Sequence, residues 1–245
     1  MRKPYEKKVG KIGNLKVWIV DGSYIRKNLD EEFTTCGEHY VFHFIPKDEL
    51  WLDREFGTKD EKYYLDYILT EYKFMSQGYS YARAWKEGNL VQKREREKDK
   101  EFKRLKKLKE KADYKLVDKI HKKLLKKYSD HLRVWVVNGK IVRDLFFVDF
   151  VEGGHDKVYS FVPAGEIWID DNISQKERKF ILLHESHERY LMSKGWNYDK
   201  AHFYSSKIEH KYRNKKAGLD KALELNIKRN DLLIKKREER GYVHR

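Results

Sequence analysis

The hydrophobic positions of this chain fall first into short runs of the kind that form strands. Val134 to Val137 is a run of β-branched and aromatic residues, and the Asn138-Gly139 pair after it predicts a hairpin turn into a second strand. A loop is predicted at Gly153-Gly154. Two further runs, Val158 to Val162 and Glu166 to Asp170, predict the remaining strands.

Helical spacing of the apolar residues follows these strands. Ser174, with Glu177 three positions later, predicts a capping box that opens a helix, and Gly195 predicts its end. A second helix is predicted from about Tyr198 through Glu209 and on into the C-terminal stretch. Strands followed by helices predict an α+β fold, in which helices pack on a small antiparallel sheet.

The chain repeats itself. Leu15 to Trp85 aligns without a gap with Leu132 to His202 at a constant offset of 117 residues, and 23 of 71 positions are identical. We therefore expect two tandem copies of one domain, of which the first is degenerate. The predicted organisation is a first copy over 1–85, a basic helical linker over 86–131, a second copy over 132–210 and a basic C-terminal helix over 211–245. The linker is predicted as one long helix or as a helical pair interrupted around Ala112 to Tyr114.

Positive charge is confined to two segments. The formal net charge is +15, and Lys93 to Lys127 holds 17 Lys and Arg against 7 Asp and Glu, while Lys207 to Arg245 holds 13 against 6. Such segments attract nucleic acid or other polyanions. The other interpretation is a solvated helix face in a Lys- and Glu-rich chain.

Composition also narrows the class of protein. We expect no signal peptide, and the sequence has no apolar run near the roughly 18 residues that a membrane span needs. The single cysteine, Cys36, excludes an internal disulfide framework. We expect a soluble, cytoplasmic protein with no membrane partner, in the host cytoplasm or a virion if the chain is viral. The oligomeric state is left open.

The stretch from Ile181 to Arg189, ILLHESHER, carries the candidate chemistry. It sets His184, Glu185 and Glu188 into the apolar stripe of an amphipathic helix, where unpaired imidazole and carboxylate groups are costly to bury. Zinc hydrolases use H-E-x-x-H, with two ligands one helical turn apart and a glutamate between them as general base. Here Glu188 occupies the second ligand position, which a carboxylate can fill.

A third ligand is predicted on the next helix. His202 is the candidate, and Glu209, two turns later on the same face, is expected to orient His202 or to complete the coordination. His187 is an alternative ligand, since it lies only about 60 degrees from Glu188 around the helix. Three protein ligands would leave one zinc position open, as in catalytic sites.

The first copy acts as an internal control. Tyr67, Ile68 and Trp85 stand where the second copy has His184, Glu185 and His202, whereas Glu71 matches Glu188. The fold therefore does not require the histidines, and we expect only the second copy to hold a metal. Retention of Glu71 leaves open a purely structural role for Glu188.

The stretch from Glu166 to Glu209 resembles an uncharacterised family of phage and archaeal proteins with a zincin-like metallopeptidase helix. The family pattern is EIWID, then HE-x-x-E-x-x-LM, then AH-x-x-A-x-x-x-E, and this chain departs from it at Ser205, where the pattern has alanine. The resemblance implies His184, Glu188 and His202 as metal ligands and Glu185 as general base.

The leading hypothesis is a zinc-dependent hydrolase, most simply a metallopeptidase. It has an active second copy and an inactive first copy, with Glu185 as the base. The alternative is a non-enzymatic nucleic-acid-binding or virion-associated protein that binds through its basic helices.

Overall fold

The computed structural model describes residues 4–56, 60–111 and 115–241. The chain divides into two compact units, one formed by Met1–Leu116 with Lys140–Asp149 and the other by Val117–Gly139 with Phe150–Arg245. Each unit holds one sheet with helices, so the α+β class and the two tandem copies are confirmed. The boundaries drawn from the sequence remain predictions.

The first unit contains a four-stranded sheet. Its strands lie in the order β1-β2-β4-β3, and the helices α1 to α4 belong to the same unit. The bounds are β1 Tyr5–Ile12, β2 Leu15–Val20, α1 Gly22–Asn28, β3 Cys36–Gly37, β4 Glu49–Asp53, α2 Glu61–Ser76, α3 Tyr81–Glu97 and α4 Lys100–Glu110.

The second unit repeats this order as β5-β6-β8-β7. The bounds in this part of the chain are α5 Lys115–Ile120, β5 His121–Leu124, β6 Arg133–Val137, α6 Gly139–Leu145, β7 Gly153–His155, β8 Glu166–Asp170, α7 Gln175–Ser193, α8 Tyr198–Asn214 and α9 Leu219–Glu239. Residues 140–149, which include nearly all of α6, belong to the first unit.

The same buried contact recurs in both sheets. The Trp51 indole donates to Glu49, and the Trp168 indole donates to Glu166, each at 2.8 Å. Both carboxylates are buried, and this hydrogen bond gives each of them a partner. A buried charge without a partner would be unfavourable.

The sheets are mixed, and here the prediction of antiparallel sheets is wrong. β2 pairs parallel with β4, and β6 pairs parallel with β8. Asn138-Gly139 does not form a hairpin turn, and Gly139 begins α6. The glycine is needed because this position lies against the end of β8: a Cβ there would be 2.1 Å from the Asp170 carboxylate. A helical crossover of this kind returns the chain in the parallel direction.

The segment from Val158 to Val162 is also not a strand. The carbonyl of His155 accepts from the amides of Val158 and Tyr159, at 3.1 and 3.0 Å, so the backbone follows consecutive turns. The strand β7 lies instead at Gly153-Gly154, where the sequence predicted a loop. Because glycine has no side chain, the backbone of β7 can lie close to that of β8. A Cβ on Gly153 would lie 2.9 Å from the Trp168 carbonyl oxygen.

The basic segments are largely helical, as predicted. The first includes the end of α3 and all of α4 and α5. It also includes β5, which pairs with β6 and is an edge strand of the second sheet. The interruption predicted around Ala112 to Tyr114 lies outside the described residues. The C-terminal stretch breaks at Gly218, which has a φ of +87°, and continues as α9. No helix within these ranges is long and apolar enough to cross a membrane.

Candidate metal centre

Helix α7 carries the central residues of the site. Ser174 is its N-cap, as predicted, although its side chain forms no capping hydrogen bond, and Gly195 with a φ of +91° follows its end. The apolar stripe of α7 is buried, so the polar residues within the stripe are buried too. His184 and Glu188 retain only 9 % and 3 % of their exposure. Helix α8 packs beside α7 and contributes His202 and Glu209.

Three predicted ligands come together. His184 Nε2 lies 3.2 Å from His202 Nδ1 and 3.5 Å from Glu188 Oε2, and His202 Nδ1 lies 2.8 Å from the same oxygen. The His202 side chain is 34 % exposed, whereas its two neighbours are nearly buried. These three side chains form a group that could hold a metal ion.

A hydrogen bond at Nδ1 fixes the orientation of the His184 ring. Its Nδ1 lies 2.9 Å from Glu209 Oε2, and a carboxylate accepts only, so Nδ1 carries the proton and donates. In the neutral ring, the Nε2 lone pair then faces Glu188 and His202. Arg213 donates to the other oxygen of Glu209 at 2.8 Å. A histidine ligand held by a carboxylate in this way is the usual arrangement around protein-bound metals.

Glu209 therefore supports His184, whereas the sequence predicted it beside His202. The Arg213 guanidinium also donates to Glu177 at 2.5 Å, so this support is anchored at the start of α7. Burial alone would raise the pKa of Glu209, but His184 and Arg213 lower it to about 2. Burial alone would lower the pKa of His184, but hydrogen bonds to Glu188 and Glu209 raise it well above its usual value.

His155 is a site residue that the sequence interpretation missed. It is fully buried on β7, and its Nε2 lies 3.1 Å from Glu188 Oε1. The Lys157 backbone N–H donates to Nδ1 at 3.1 Å, so the neutral ring carries its proton on Nε2 and donates it to Glu188. His155, Glu185 and Glu188 form a second group with metal-like spacing. Because the Lys157 N–H occupies Nδ1, the His155 proton stays on Nε2, which offers no lone pair to an ion there. His202 Nδ1 also lies within hydrogen-bond distance of Glu188, and it would release its proton on binding an ion.

Glu188 is thus surrounded by imidazoles. One of its oxygens faces His184 and His202, and the other accepts from His155. Burial alone would raise the pKa of Glu188, but the hydrogen bonds with these three histidines hold it well below its usual value. A buried carboxylate with this environment stays charged and orients Oε2 toward the two candidate ligands.

Glu185 lies beside this group. Its carboxyl lies within 4.8 Å of ligand atoms of His155 and Glu188, and it is 9 % exposed. Within the described part of the chain, its carboxyl has no hydrogen-bond partner. Burial, together with the negative charge of Glu188, raises the pKa of Glu185 to about 8.

His187 faces a different helix. Its Nδ1 donates to the Asn226 side-chain oxygen of α9 at 3.0 Å, and the Asn226 amide donates in turn to Ala222. Burial lowers the pKa of His187 despite this hydrogen bond. His187 belongs to neither of the two metal-like groups found among the described residues, so its observed contact is with α9.

The corresponding place in the first unit is filled by aromatic side chains. Tyr67 replaces His184, and its hydroxyl donates to Glu71 at 2.5 Å. Gly88 provides the room for this ring, since a Cβ there would lie 2.7 Å from it. Trp85 replaces His202 and donates to Asp149 at 3.2 Å. Metal-like groups occur only in the second unit within the ranges that the structure describes.

Comparison with known proteins adds no further constraint. No protein-family model, curated protein or solved structure matches this chain.

Proposed function

We propose that the protein is a zinc-dependent hydrolase, most simply a metallopeptidase, whose single metal centre lies in the second unit. The observation that carries the proposal is the spacing of His184 Nε2, His202 Nδ1 and Glu188 Oε2, which lie 2.8–3.5 Å apart. Ligand atoms about 2.0–2.1 Å from a tetrahedral zinc ion lie about 3.3 Å from one another.

The donor chemistry fits zinc as well. Two imidazole nitrogens and one carboxylate oxygen form a common catalytic zinc set, and three protein ligands leave one position open. His202 is the most exposed of the three ligands, so solvent and substrate would reach the ion from its side. A zinc ion held there would supply Lewis acidity, which polarises a substrate carbonyl and activates water toward it.

The protein side chains have separate roles in this proposal. His184, Glu188 and His202 hold the ion, Glu209 fixes the His184 ring, and His155 fixes the Glu188 carboxylate. Glu185 would be the general base. Its pKa is about 8 beside the negative charge of Glu188, and the positive charge of a bound zinc ion would favour its ionised form. That carboxylate would accept a proton from the attacking water and return it to the leaving amine. Its freedom from hydrogen bonds within the described residues leaves both oxygens available.

Metal content tests the centre. Elemental mass spectrometry on untagged protein should find about one zinc per chain. The zinc should be lost in His184→Ala and in His202→Ala, with folding checked by circular dichroism. The matched control is Glu71→Ala, which removes the corresponding carboxylate of the first unit and should retain zinc. No zinc after reconstitution would leave these histidines as a hydrogen-bonded network and contradict the proposal.

A separate experiment tests the reaction. With zinc bound, Glu185→Gln should lower hydrolysis of a peptide library by about 100-fold or more, because general-base catalysis contributes on this scale. Equal activity of Glu185→Gln and the parent protein would exclude this role. A library that neither protein cleaves would restrict the proposal to metal binding.

A second candidate function is polyanion binding by the basic helices. The exposed charges of α4 are six basic side chains against Glu101 and Glu110. The basic residues are Lys100, Lys103, Arg104, Lys106, Lys107 and Lys109. Neutralised phosphates release counterions, so affinity for duplex DNA should fall steeply with salt if this helix binds it. Undetectable or salt-independent binding would exclude this function.

A further inference from the structure

Three neighbouring aromatic rings, those of Trp196, Phe203 and Tyr204, form a strip on α8 and the turn before it, and Tyr198 lies on the same helix. Phe203, Tyr204 and Tyr198 are 53 %, 45 % and 45 % exposed, and Trp196 is half-buried beside them. The Tyr204 ring centroid lies 5.4 Å from that of Trp196 and 5.5 Å from that of Phe203. Single exposed apolar residues are ordinary on protein surfaces, but contiguous ones mark binding sites.

The strip adjoins the candidate metal centre. Tyr198 stacks on the ring of His202, with centroids 5.3 Å apart and planes inclined by 25°. The next residue after His202 is Phe203. The strip therefore lies on the helix that carries the candidate ligand His202.

The charge around the strip is positive. The Lys200 ammonium lies 4.2 Å from the centroid of the Trp196 ring, and that of Lys207 lies 4.1 Å from Phe203. From 194 to 216 the exposed charged side chains are six lysines and one acid, Asp199. The lysines are Lys194, Lys200, Lys207, Lys211, Lys215 and Lys216. The surface thus presents flat rings among cations.

The first repeat shows that the helix fold does not need the rings of Phe203 and Tyr204. At the same offset of 117 residues, Lys86 and Glu87 correspond to Phe203 and Tyr204. Buried positions of the two helices agree: Ala84 and Ala201 are both fully buried. The exposed aromatic pair therefore occurs in the repeat that carries the candidate metal centre and not in its partner.

We propose that the aromatic strip binds single-stranded nucleic acid. The bases would stack on Phe203 and Tyr204, and the phosphates would pair with Lys200 and Lys207, as in sequence-tolerant single-strand binding sites. Paired bases in a duplex do not expose their faces to such stacking. The inference goes beyond the proposed hydrolase and does not depend on it, because strand binding requires no metal.

Fluorescence anisotropy with the full chain and a labelled oligothymidylate of about 15 nucleotides tests the inference. At about 50 mM salt we expect binding that weakens steeply as salt rises. The Phe203→Ala/Tyr204→Ala double variant should bind at least about tenfold more weakly, whereas Tyr204→Phe, which keeps the ring, should bind as the parent does. Lys200→Ala and Lys207→Ala should each reduce the slope of the salt dependence by about 0.7.

Tyr79→Ala is the matched control. Tyr79 corresponds to Trp196, is 39 % exposed and lies under Arg83 at 4.3 Å, so it is an aromatic under a cation in the first unit. It should bind the oligonucleotide unchanged. The proposal is overturned by no binding at low salt, by equal affinity for the matching duplex, or by equal losses in the Tyr79 and double variants. Retention of an apolar peptide on the strip without oligonucleotide binding would also overturn it.

Discussion

At the scale of single residues, Glu188 is the group on which the candidate centre depends. Its two oxygens have different surroundings: Oε2 faces His184 and His202, and Oε1 accepts from His155. A carboxylate ligand with its second oxygen fixed cannot rotate away from the ion, so its geometry is set before binding. In the proposed centre, His155 would therefore contribute to metal affinity without touching the metal.

Replacing His155 tests this arrangement. His155→Ala removes the donor to Glu188 Oε1, and we expect zinc affinity to fall by about 10–100-fold, the usual cost of losing such a contact. His155→Gln should recover part of this loss, because a glutamine amide can donate from about the position of Nε2. Competition with a chromophoric chelator measures both constants. If His155→Ala bound zinc as tightly as the parent protein, His155 would be only a packing residue.

Glu71 of the first unit makes the stability of the protein depend on pH. Burial, and the neighbouring carboxylates Glu38 and Asp149, raise its pKa to about 7, although the Tyr67 hydroxyl lowers it. Between about pH 4.5 and 7 the folded state thus holds a proton that the unfolded state has released. Stability must then fall as pH rises through this window.

Glu71→Gln should remove this dependence at one site. Between pH 4.5 and 8 the parent protein should lose roughly 2–3 kcal/mol more stability than the variant, as measured by urea unfolding. Asp149, whose burial raises its pKa to about 6, titrates in both proteins, so the variant profile will still slope. Parallel profiles for the two proteins would show that folding does not raise the pKa of Glu71.

At the scale of elements, helix periodicity explains what could be predicted. His184, Glu188 and His202 lie on helices, where spacing reports which residues share a face, and the structure brings them together. His155 lies on a three-residue edge strand 33 residues before Glu188, and no periodicity links them. One feature of the sequence did indicate that His155 belongs to the site. The first repeat has Glu38 in place of His155, just as it has Tyr67 in place of His184.

The errors in the strand assignment have a local cause. Asn138-Gly139 has the composition of a hairpin turn, yet Gly139 is required by its contact with Asp170. Likewise Gly153-Gly154 has the composition of a loop, but the chain there pairs with β8. A glycine needed for close packing has the same sequence signature as one needed for a positive φ. Only the tertiary contacts distinguish the two cases.

The C-terminal helix α9 combines a basic exposed face with a buried polar one. Asn230 is fully buried, donates to the Ser186 carbonyl at 2.8 Å and accepts from Arg189 at 2.9 Å. Arg189 in turn binds Asp156, the residue after His155. The helix is therefore part of the support of α7, whatever its exposed lysines bind.

Asn230→Ala should reduce the free energy of unfolding by about 1–3 kcal/mol, because Ser186 and Arg189 each lose a buried partner. Leu232→Ala is the control on the same helix: Leu232 is 48 % exposed, so its loss should change stability by no more than about 0.5 kcal/mol. Chemical denaturation at constant zinc measures both. Equal small effects would show that the Asn230 contacts contribute little to the attachment of α9.

At the scale of the whole molecule, the two units share a fold and differ in chemistry. In the first unit, Tyr67 and Trp85 occupy the positions that correspond to His184 and His202 of the candidate metal centre. A ligand that binds only the folded second unit stabilises that unit by mass action and leaves the first without direct stabilisation. The response to zinc should therefore be asymmetric between two homologous sets of helices.

Hydrogen exchange with and without a zinc chelator measures this asymmetry. If zinc occupies the proposed centre, removing it should increase exchange in α7, α8 and the 153–157 segment. The ion would join side chains of α7 and α8, and His155 attaches β7 to Glu188. Exchange in α2 and α3, the matching helices of the first unit, should stay unchanged and serves as the control within the same chain. His184→Ala should exchange like the chelated protein and respond no further to chelator. Equal deprotection of all four helices would mean that zinc supports the whole chain, and no change anywhere would mean that the ion is absent from this site.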